Sequence, residues 1–321
     1  MPHWLPPILT LSLTLLLVLL LFLALLIPAA AYLTARSLLQ PPRMSVGKAA
    51  WVLKRLSPAD LNLPFDSLSF HIRDQHNQPL TIAAWWIPHP NSLGRTALFV
   101  HGYADAKVGA LSWAPTFHSL AYNILAIDLR AHGESTGRFV TAGYHEQHDL
   151  NQIINQLRAQ YPNETKHLVL FGISLGAAVV AAASIHRHDL AAVILDSPSA
   201  DESHAATIQL NLLGFPGPFV QRLAFHMIRW ISHADFAAVR PIDLIPKIPC
   251  PLMIIQPAND IYVPPTDMQA LESAAASRPP SLPTTFWRIP AAAHLMAICA
   301  DPAEYRSRLA TFLSTHIPTA Q

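Results

Sequence analysis

Residues 167–180, HLVLFGISLGAAVV, decide the fold class of this chain. The stretch starts as an apolar run, breaks at Gly172-Ile173-Ser174-Leu175-Gly176, and resumes as small apolar residues. A buried strand, a G-x-S-x-G turn and a helix of small residues, in this order, are typical of a sharp strand-to-helix turn that exposes the serine hydroxyl. We predict that this turn holds Ser174 in a strained backbone conformation, and that Gly172 and Gly176 let neighbouring backbone pass close by.

The length and composition limit the classes of protein to consider. A chain of 321 residues can hold one large α/β domain plus an appendage, and no linker divides it into two equal domains. Hydrophobic residues make up 51% and charged residues 13%, with much of the apolar excess near the N-terminus. The net charge of +1, without a basic stripe, argues against a nucleic-acid partner. Cys250 and Cys299 are too few for a disulfide framework.

The apolar excess lies in residues 8–33, which contain no charged side chain. This run exceeds the roughly 20 residues that span a bilayer, and it predicts a transmembrane helix after a short flank, residues 1–7. Ala29-Ala30-Ala31 resembles the cleavage site of a signal peptide, which is the alternative. The flank has no Lys or Arg and the run is longer than a usual signal core, so an uncleaved anchor is favoured.

Residues 34–60 carry an excess of positive charge and are predicted to be a juxtamembrane linker with a stiff break at Pro41-Pro42. The side of the membrane richer in Lys and Arg tends to stay inside. The asymmetry therefore predicts a cytoplasmic domain behind a single-pass helix, whereas signal cleavage would give an exported protein. The cations are Arg36, Arg43, Lys48, Lys54 and Arg55.

Residues 61–321 are predicted to form an α/β domain. Two alternating strands come first, and short apolar strands separated by helical stretches follow, which indicates a mostly parallel sheet covered by helices on both faces. The interval 197–249 is too long for a simple crossover, so we expect a small helical cap there, with a helix over 220–232. The predicted strands cover residues 67–73, 80–87, 96–101, 123–128, 167–171, 191–196, 252–256 and 285–289.

Several motifs together resemble the α/β-hydrolase fold. The resemblance covers about residue 61 to the C-terminus and is strongest to the branch of monoglyceride-lipase-like and S33-type serine hydrolases, several of which carry an N-terminal membrane anchor. The family's order is nucleophile, acid, histidine, and this chain keeps it. The matching motifs are His101-Gly102-Tyr103, DLRAHGES at 128–135, Gly172-Ile173-Ser174-Leu175-Gly176, Asn259-Asp260-Ile261-Tyr262-Val263-Pro264 and Ala293-His294.

The resemblance implies a catalytic triad in which Ser174 is the nucleophile, His294 the general base and Asp260 the acid that orients the histidine. Asp196, also at the end of a predicted strand, is a second candidate for the acid. Pro290-Ala291-Ala292-Ala293 stands where the family usually has a Gly-rich loop before the histidine.

The predicted oxyanion hole has two backbone donors. The Leu175 N–H follows the nucleophile directly, and the resemblance assigns the second N–H to Tyr103. We expect Arg130 and His132 to brace their own loop, residues 128–135, by hydrogen bonds. The His-x-x-His spacing of His145 and His148 is better explained as the polar start of a helix than as a metal site, so no metal is predicted.

The implied function is hydrolysis of an ester or thioester through an acyl-enzyme, without cofactor or metal. The expected partners are a small or lipid-like acyl substrate and, through the N-terminal helix, a membrane. Phe215 and Phe219 of the cap are predicted to contact substrate, with further apolar surface from Leu210, Leu212, Leu213 and Phe225. A peptidase or amidase on the same triad, and a non-catalytic binding protein with the same fold, are the alternatives.

Overall fold

The computed structural model describes residues 7–317, so the predicted flank 1–7 lies almost wholly outside it. Eight strands form one sheet in the order β1-β2-β4-β3-β5-β6-β7-β8. β2 is antiparallel to both β1 and β4, and the remaining neighbours are parallel. The strands are β1 Asp66–Arg73, β2 Pro79–Ile87, β3 Arg95–Val100, β4 Asn123–Ile127, β5 His167–Ile173, β6 Ala192–Asp196, β7 Leu252–Pro257 and β8 Thr284–Ile289. The predicted fold class is confirmed.

Side chains alternate between two hydrophobic cores because successive residues of a strand face opposite sides of the sheet. In β3, Leu98 and Val100 belong to one core, whereas Ala97 and Phe99 belong to the other. Residues of α4 and α5 fill the first core and residues of α11 fill the second, so helices cover both faces. The helices are α1 Pro7–Leu39, α2 Val46–Val52, α3 Ala114–Ser119, α4 Glu146–Gln160, α5 Leu175–Ser184, α6 Glu202–Leu212, α7 Pro218–Ser232, α8 Pro241–Leu244, α9 Pro265–Ala276, α10 Ala297–Ala300 and α11 Pro302–His316.

Helix α1 continues through Pro28 and past the predicted end of the apolar segment, up to Leu39. By length and composition its residues Leu9–Leu39 could cross a membrane. Its large apolar side chains are exposed up to Leu26 and again at Tyr32 and Leu33, whereas Ala31, Ala35 and Leu38 are buried against the domain. One helix therefore contains the apolar span and also packs on the folded domain.

The segment predicted to be a linker is partly folded. It contains α2, and the Arg43 guanidinium donates to the carbonyl oxygens of Gly133, Ser135 and Gly137 at 3.1, 2.7 and 3.1 Å. Arg55 likewise donates to the Leu111 carbonyl at 3.0 Å. The interpretation of the whole of 34–60 as linker is wrong, because its first residues continue α1, residues 46–52 form α2, and two of its cations donate to backbone carbonyls of the domain.

Helices α6, α7 and α8 lie between β6 and β7, within the interval where a cap was expected. The predicted helix over 220–232 corresponds to α7, which begins at Pro218. Proline suits this place because the first turn of a helix leaves its N–H groups without partners in the helix. The regular elements of the cap are thus helices, and the cap leaves the sheet at the carboxyl end of β6.

Candidate active site

The turn between β5 and α5 holds Ser174 with φ +53° and ψ −119°, a conformation that L-residues rarely adopt. The backbone around it is packed too closely for side chains at the two glycines. A Cβ on Gly176 would lie 2.0 Å from the Val100 carbonyl oxygen, and one on Gly172 would lie 2.4 Å from that of Gly176. The strained serine and the close backbone approach predicted from the sequence are both present.

The structure brings Ser174, His294 and Asp260 together. Ser174 follows β5, Asp260 follows β7 and His294 follows β8, so all three lie at the carboxyl edge of the sheet. The distance from His294 Nε2 to Ser174 Oγ is 2.9 Å, and that from His294 Nδ1 to Asp260 Oδ2 is 2.6 Å. With Nδ1 donating to the carboxylate, Nε2 is free to accept the serine proton, which is the arrangement of a nucleophile with its general base.

Asp260 is held so that both carboxylate oxygens accept hydrogen bonds. Oδ2 accepts from His294, and Oδ1 accepts from the Tyr262 N–H at 2.9 Å. The Asp260 side chain is fully buried, whereas His294 stays partly exposed beside the Tyr262 ring, 4.9 Å away between ring centres. The histidine can therefore reach a substrate while its partner is shielded from water.

Asp196, the other candidate acid, faces different partners. It is fully buried at the end of β6, where Ser197 Oγ and Tyr305 Oη donate to it at 2.8 and 2.7 Å. Burial raises the pKa of Asp196. The Leu295 N–H donates to Ser197 Oγ at 3.3 Å, so this carboxyl supports the loop of His294 but does not bond the imidazole.

The predicted oxyanion donors lie beside the serine. A Cβ on Gly102 would be 3.3 Å from Ser174 Cβ, which brings the turn before Tyr103 against Ser174. The Leu175 N–H is the first of α5 and has no acceptor within the helix. For Tyr103, no acceptor of the N–H occurs among the described residues. Two donors therefore remain available near the serine hydroxyl.

Two buried histidines brace this loop. His101 Nδ1 donates to the Gly102 carbonyl at 2.7 Å and Nε2 accepts from the Leu129 N–H at 3.0 Å. His132 Nε2 accepts from the Ala104 N–H at 3.2 Å, and Nδ1 donates to the Arg130 carbonyl at 3.0 Å. Burial lowers the pKa of both imidazoles, that of His132 to about 3. Both rings are neutral near pH 7, as these donor and acceptor roles require.

The Arg130 side chain ties the loop 128–135 to α4. Its guanidinium binds both carboxylate oxygens of Asp149 at 2.6 Å, and the pair is buried. Charged groups buried in this way are stabilised by bidentate pairing. The bracing roles predicted for Arg130 and His132 are thus borne out by their contacts.

The polar stretch around His145 joins α4 to the cap. Glu146 is the first residue of α4 and accepts from the Thr141 and Gly143 N–H groups at 2.7 and 3.0 Å. His145 Nε2 donates to the Ser232 carbonyl, the last of α7, at 3.1 Å. The stretch is a helix start, as predicted, and His145 has a structural partner.

A cavity of about 690 Å³ opens beside Ser174 and His294. Leu210, Leu213 and Phe215 of the cap line it, as the sequence predicted. Phe219 does not line it: this side chain lies in the first turn of α7 and is 69% exposed, so its assignment to substrate contact is wrong. Helical position, rather than apolar character, decides which cap phenylalanine reaches the cavity.

The cavity has walls that sequence reasoning missed. One wall is formed by the end of α1 and by residues that follow it, and no sequence motif marks these residues as part of a site. They are Ser37, Leu38, Met44, Val52 and Leu53. Their contribution depends entirely on how the chain folds back onto the domain.

Two carboxyl groups also line the cavity. Burial raises the pKa of Asp105 to about 6 and that of Glu202 to about 8. The Ser199 hydroxyl donates to Glu202. Glu202 is therefore largely protonated at pH 7, whereas Asp105 is largely ionised at that pH.

Comparisons with known proteins show what this chain is similar to. Residues 93–238 match the family model described as "Serine aminopeptidase, S33". The chain is 29% identical over 189 residues to the uncharacterized protein YqkD of Bacillus subtilis, covering 57% of this chain and 60% of that protein. It is 25% identical to the α/β hydrolase domain-containing protein WAV2 of Arabidopsis thaliana, covering 82% and 83% of the two chains.

Solved structures share the fold. The Pyrococcus furiosus esterase Pf2001 superposes with a TM-score of 0.69 at 22% identity, covering 88% of this chain and 99% of that one. A thermophilic esterase from Thermogutta terrifontis superposes with a TM-score of 0.52 at 20% identity, covering 78% and 99%. The sheet order, the turn at Ser174 and these matches lead to one conclusion: the chain has the α/β-hydrolase fold, and its residues 93–238 are similar to the S33 family.

Proposed function

We propose that the chain is a membrane-anchored serine hydrolase that cleaves carboxylic esters or thioesters of acyl or lipid-like compounds. The observation that carries the proposal is the pair of hydrogen bonds from Ser174 Oγ through His294 to Asp260, at 2.9 and 2.6 Å, beside an apolar cavity. The chemistry needs no cofactor or metal. The acyl chain would lie in the cavity and its carbonyl next to the serine.

In this mechanism Ser174 Oγ attacks the carbonyl carbon while His294 Nε2 takes the serine proton. The N–H groups of Leu175 and Tyr103 hold the oxyanion, and the positive end of the α5 dipole adds to this stabilisation. His294 then protonates the leaving oxygen or sulfur, which departs and leaves an acyl-serine. Water, deprotonated by the same imidazole, attacks the acyl-serine and releases the acid.

The test is labelling by a fluorophosphonate probe, compared between wild type, Ser174→Ala and Ser199→Ala. Ser199 is a matched control because it lines the same cavity but bonds Glu202 rather than an imidazole. We expect wild type and Ser199→Ala to be labelled and Ser174→Ala to be silent while still folded. A labelled Ser174→Ala would refute the assignment of the nucleophile, and a silent, folded wild type would favour a non-catalytic binding protein.

A peptidase or amidase on the same three residues is the second candidate, and the family description as a serine aminopeptidase favours it. The two reactions differ in the leaving group, since an amine must be protonated as it departs. Rates on an acyl p-nitrophenyl ester, the matching thioester and the matching p-nitroanilide separate them. We expect the ester or thioester to be cleaved faster, and a faster anilide reaction would establish the amidase.

For localisation we propose an uncleaved α1 with the catalytic domain in the cytoplasm. The support is the length of the apolar helix and the cluster of Lys and Arg after it. Protease protection of spheroplasts combined with N-terminal sequencing tests both points. A mature chain that starts at Tyr32, or a domain digested from outside, would overturn the proposal.

A further inference from the structure

The C-terminal end of α1 forms part of the cavity wall. Ser37 and Leu38, in the last turn of the helix, line the cavity together with Val52 and Leu53 from the end of α2. The same helix supplies the long apolar span, in which the last exposed large apolar side chain is Leu33. Leu33 and Leu38 are separated by about 8 Å along the helix axis, since each residue rises about 1.5 Å. The apolar span therefore ends close to the cavity.

Hydrogen bonds fix this helix end to the loop beside Ser174. The Tyr103 hydroxyl donates to the carbonyls of Ser37 and Leu38 at 2.7 and 3.2 Å. The Leu39 carbonyl accepts from the Val140 N–H at 2.9 Å, and Val140 also lines the cavity. These bonds satisfy carbonyls that the end of a helix leaves without partners. The position of the cavity relative to α1 is thus set by the fold rather than by a flexible tether.

The mouth of the cavity is apolar. Val52 and Leu213 both line the cavity and remain 58% and 65% exposed, which places them where it meets solvent. Their chain neighbours Trp51 and Leu212 are 84% and 54% exposed without lining it. We call these four residues the rim. Large apolar side chains grouped around an opening are unfavourable in water and mark a surface that meets a partner or a membrane.

The surroundings of the rim fit a bilayer surface better than a protein. Trp51 is a residue type that concentrates at membrane interfaces. The exposed cations Lys48 and Lys54 flank Trp51 in the chain, and Arg222 is exposed on α7, the cap helix that packs against α1. Such cations suit phosphate headgroups. The rim also adjoins the end of α1, a helix that can itself cross the membrane, so the partner that fits this face is lipid.

We propose that the rim dips into the membrane surface and that the cavity takes an acyl lipid directly from the leaflet, without passage through water. The substrate class would then be a membrane-resident acyl ester with its chain entering between Val52 and Leu213. This inference rests on the proposed function for the chemistry, but the placement of the rim can be tested without any turnover.

The first experiment measures depth in full-length protein reconstituted in vesicles of phosphatidylcholine and phosphatidylglycerol. Single cysteines replace Trp51, Leu212 or Leu93 in a Cys299→Ser background and carry an environment-sensitive fluorophore; Cys250 is buried. Leu93 is the matched control, since it is 56% exposed but precedes β3, at the opposite edge of the sheet from Ser174. Lipids with a nitroxide on the acyl chain should quench the label at 51 and 212 and leave that at 93 bright. Equal brightness at all three positions overturns the proposal, whatever the activity.

The second experiment compares two esters with one leaving group: 4-methylumbelliferyl oleate dissolved in the same vesicles, and the soluble butyrate. We expect Trp51→Asp and Leu212→Asp each to lower the oleate rate about tenfold relative to the butyrate rate, and Leu93→Asp to change neither. Because α1 still anchors every variant, lost anchoring does not explain such a difference. An unchanged ratio of the two rates overturns lipid entry at the rim. If wild type cleaves neither ester, the proposed function fails and the quenching result alone decides where the rim lies.

Discussion

Replacing Asp260 by Asn should remove most of the activity for a reason visible in its contacts. Both carboxylate oxygens accept a hydrogen bond, one from the Tyr262 N–H and one from His294 Nδ1. A carboxamide has one oxygen and one NH₂ group, so it can accept from only one of these donors. A backbone N–H cannot become an acceptor, whereas an imidazole can change tautomer. The amide oxygen will therefore face Tyr262 and the NH₂ group will face His294.

That choice puts the remaining imidazole proton on Nε2, where it points at Ser174 and blocks transfer of the serine proton. The corresponding change in a serine protease triad lowers kcat by about 10⁴, which is about 5.4 kcal/mol in activation free energy. We expect a loss of this order for Asp260→Asn in kcat on p-nitrophenyl butyrate. The folded fraction is checked by thermal unfolding.

Asp196→Asn is the matched control. Its partners are the hydroxyls of Ser197 and Tyr305, which can rotate to accept as well as donate, so a carboxamide can be accommodated. We expect a loss of about 1 kcal/mol in the free energy of unfolding and less than about tenfold in kcat. If Asp196→Asn loses more activity than Asp260→Asn at equal stability, then Asp196 is the acid of the site and our reasoning is refuted.

Three further changes probe the surroundings of the site. Tyr103→Phe removes the hydroxyl that donates to the end of α1, so it should lower the free energy of unfolding by about 1 kcal/mol and lower kcat as well. An unchanged melting temperature and an unchanged kcat would show that the bond has no effect. Glu202→Gln should flatten the pH dependence of stability. The native carboxyl has a pKa of about 8 instead of 4.5, so between these pH values it keeps a proton that the unfolded chain releases. The contribution of Glu202 to the free energy of unfolding of wild type therefore falls by about 1.4 kcal/mol per pH unit in this range and is level above pH 8. Equal slopes in urea titrations of the two proteins at pH 5 to 8 would contradict this. Phe215→Ala should shift the preferred acyl chain length, measured with graded p-nitrophenyl esters, while Phe219→Ala should not, and a shift in both would restore Phe219 to the substrate site.

The sheet was predictable because its signal is local. Parallel strands covered on both faces are continuous apolar runs, and β5, β6 and β7 are of this kind. The carboxyl ends of parallel strands share one edge of the sheet, so residues that directly follow them meet in space. Ser174, Asp260 and His294 could for this reason be selected from the sequence, although their catalytic roles remain predictions.

The choice between Phe215 and Phe219 could not be made from sequence. Both stand in the same apolar loop and helix start, and their chemistry is identical. Their environments differ because Phe215 lies in the turn before α7 and packs inward, while Phe219 is on the exposed side of the first helical turn. Such a difference depends on how α7 is set against α1 and the cavity, which is a property of long-range packing.

The cations that follow α1 have two roles, one in the orientation of the helix and one in its attachment to the domain. In the proposed orientation, Arg36, Arg43 and Arg55 keep their end of the helix on the inner side of the membrane during insertion, because flanking Lys and Arg tend to stay inside. In the folded chain, Arg43 and Arg55 donate to domain carbonyls instead. The two roles do not compete if the helix inserts before the domain folds and these contacts form. The same residues can therefore orient the helix in the membrane and then fix its end against the cavity.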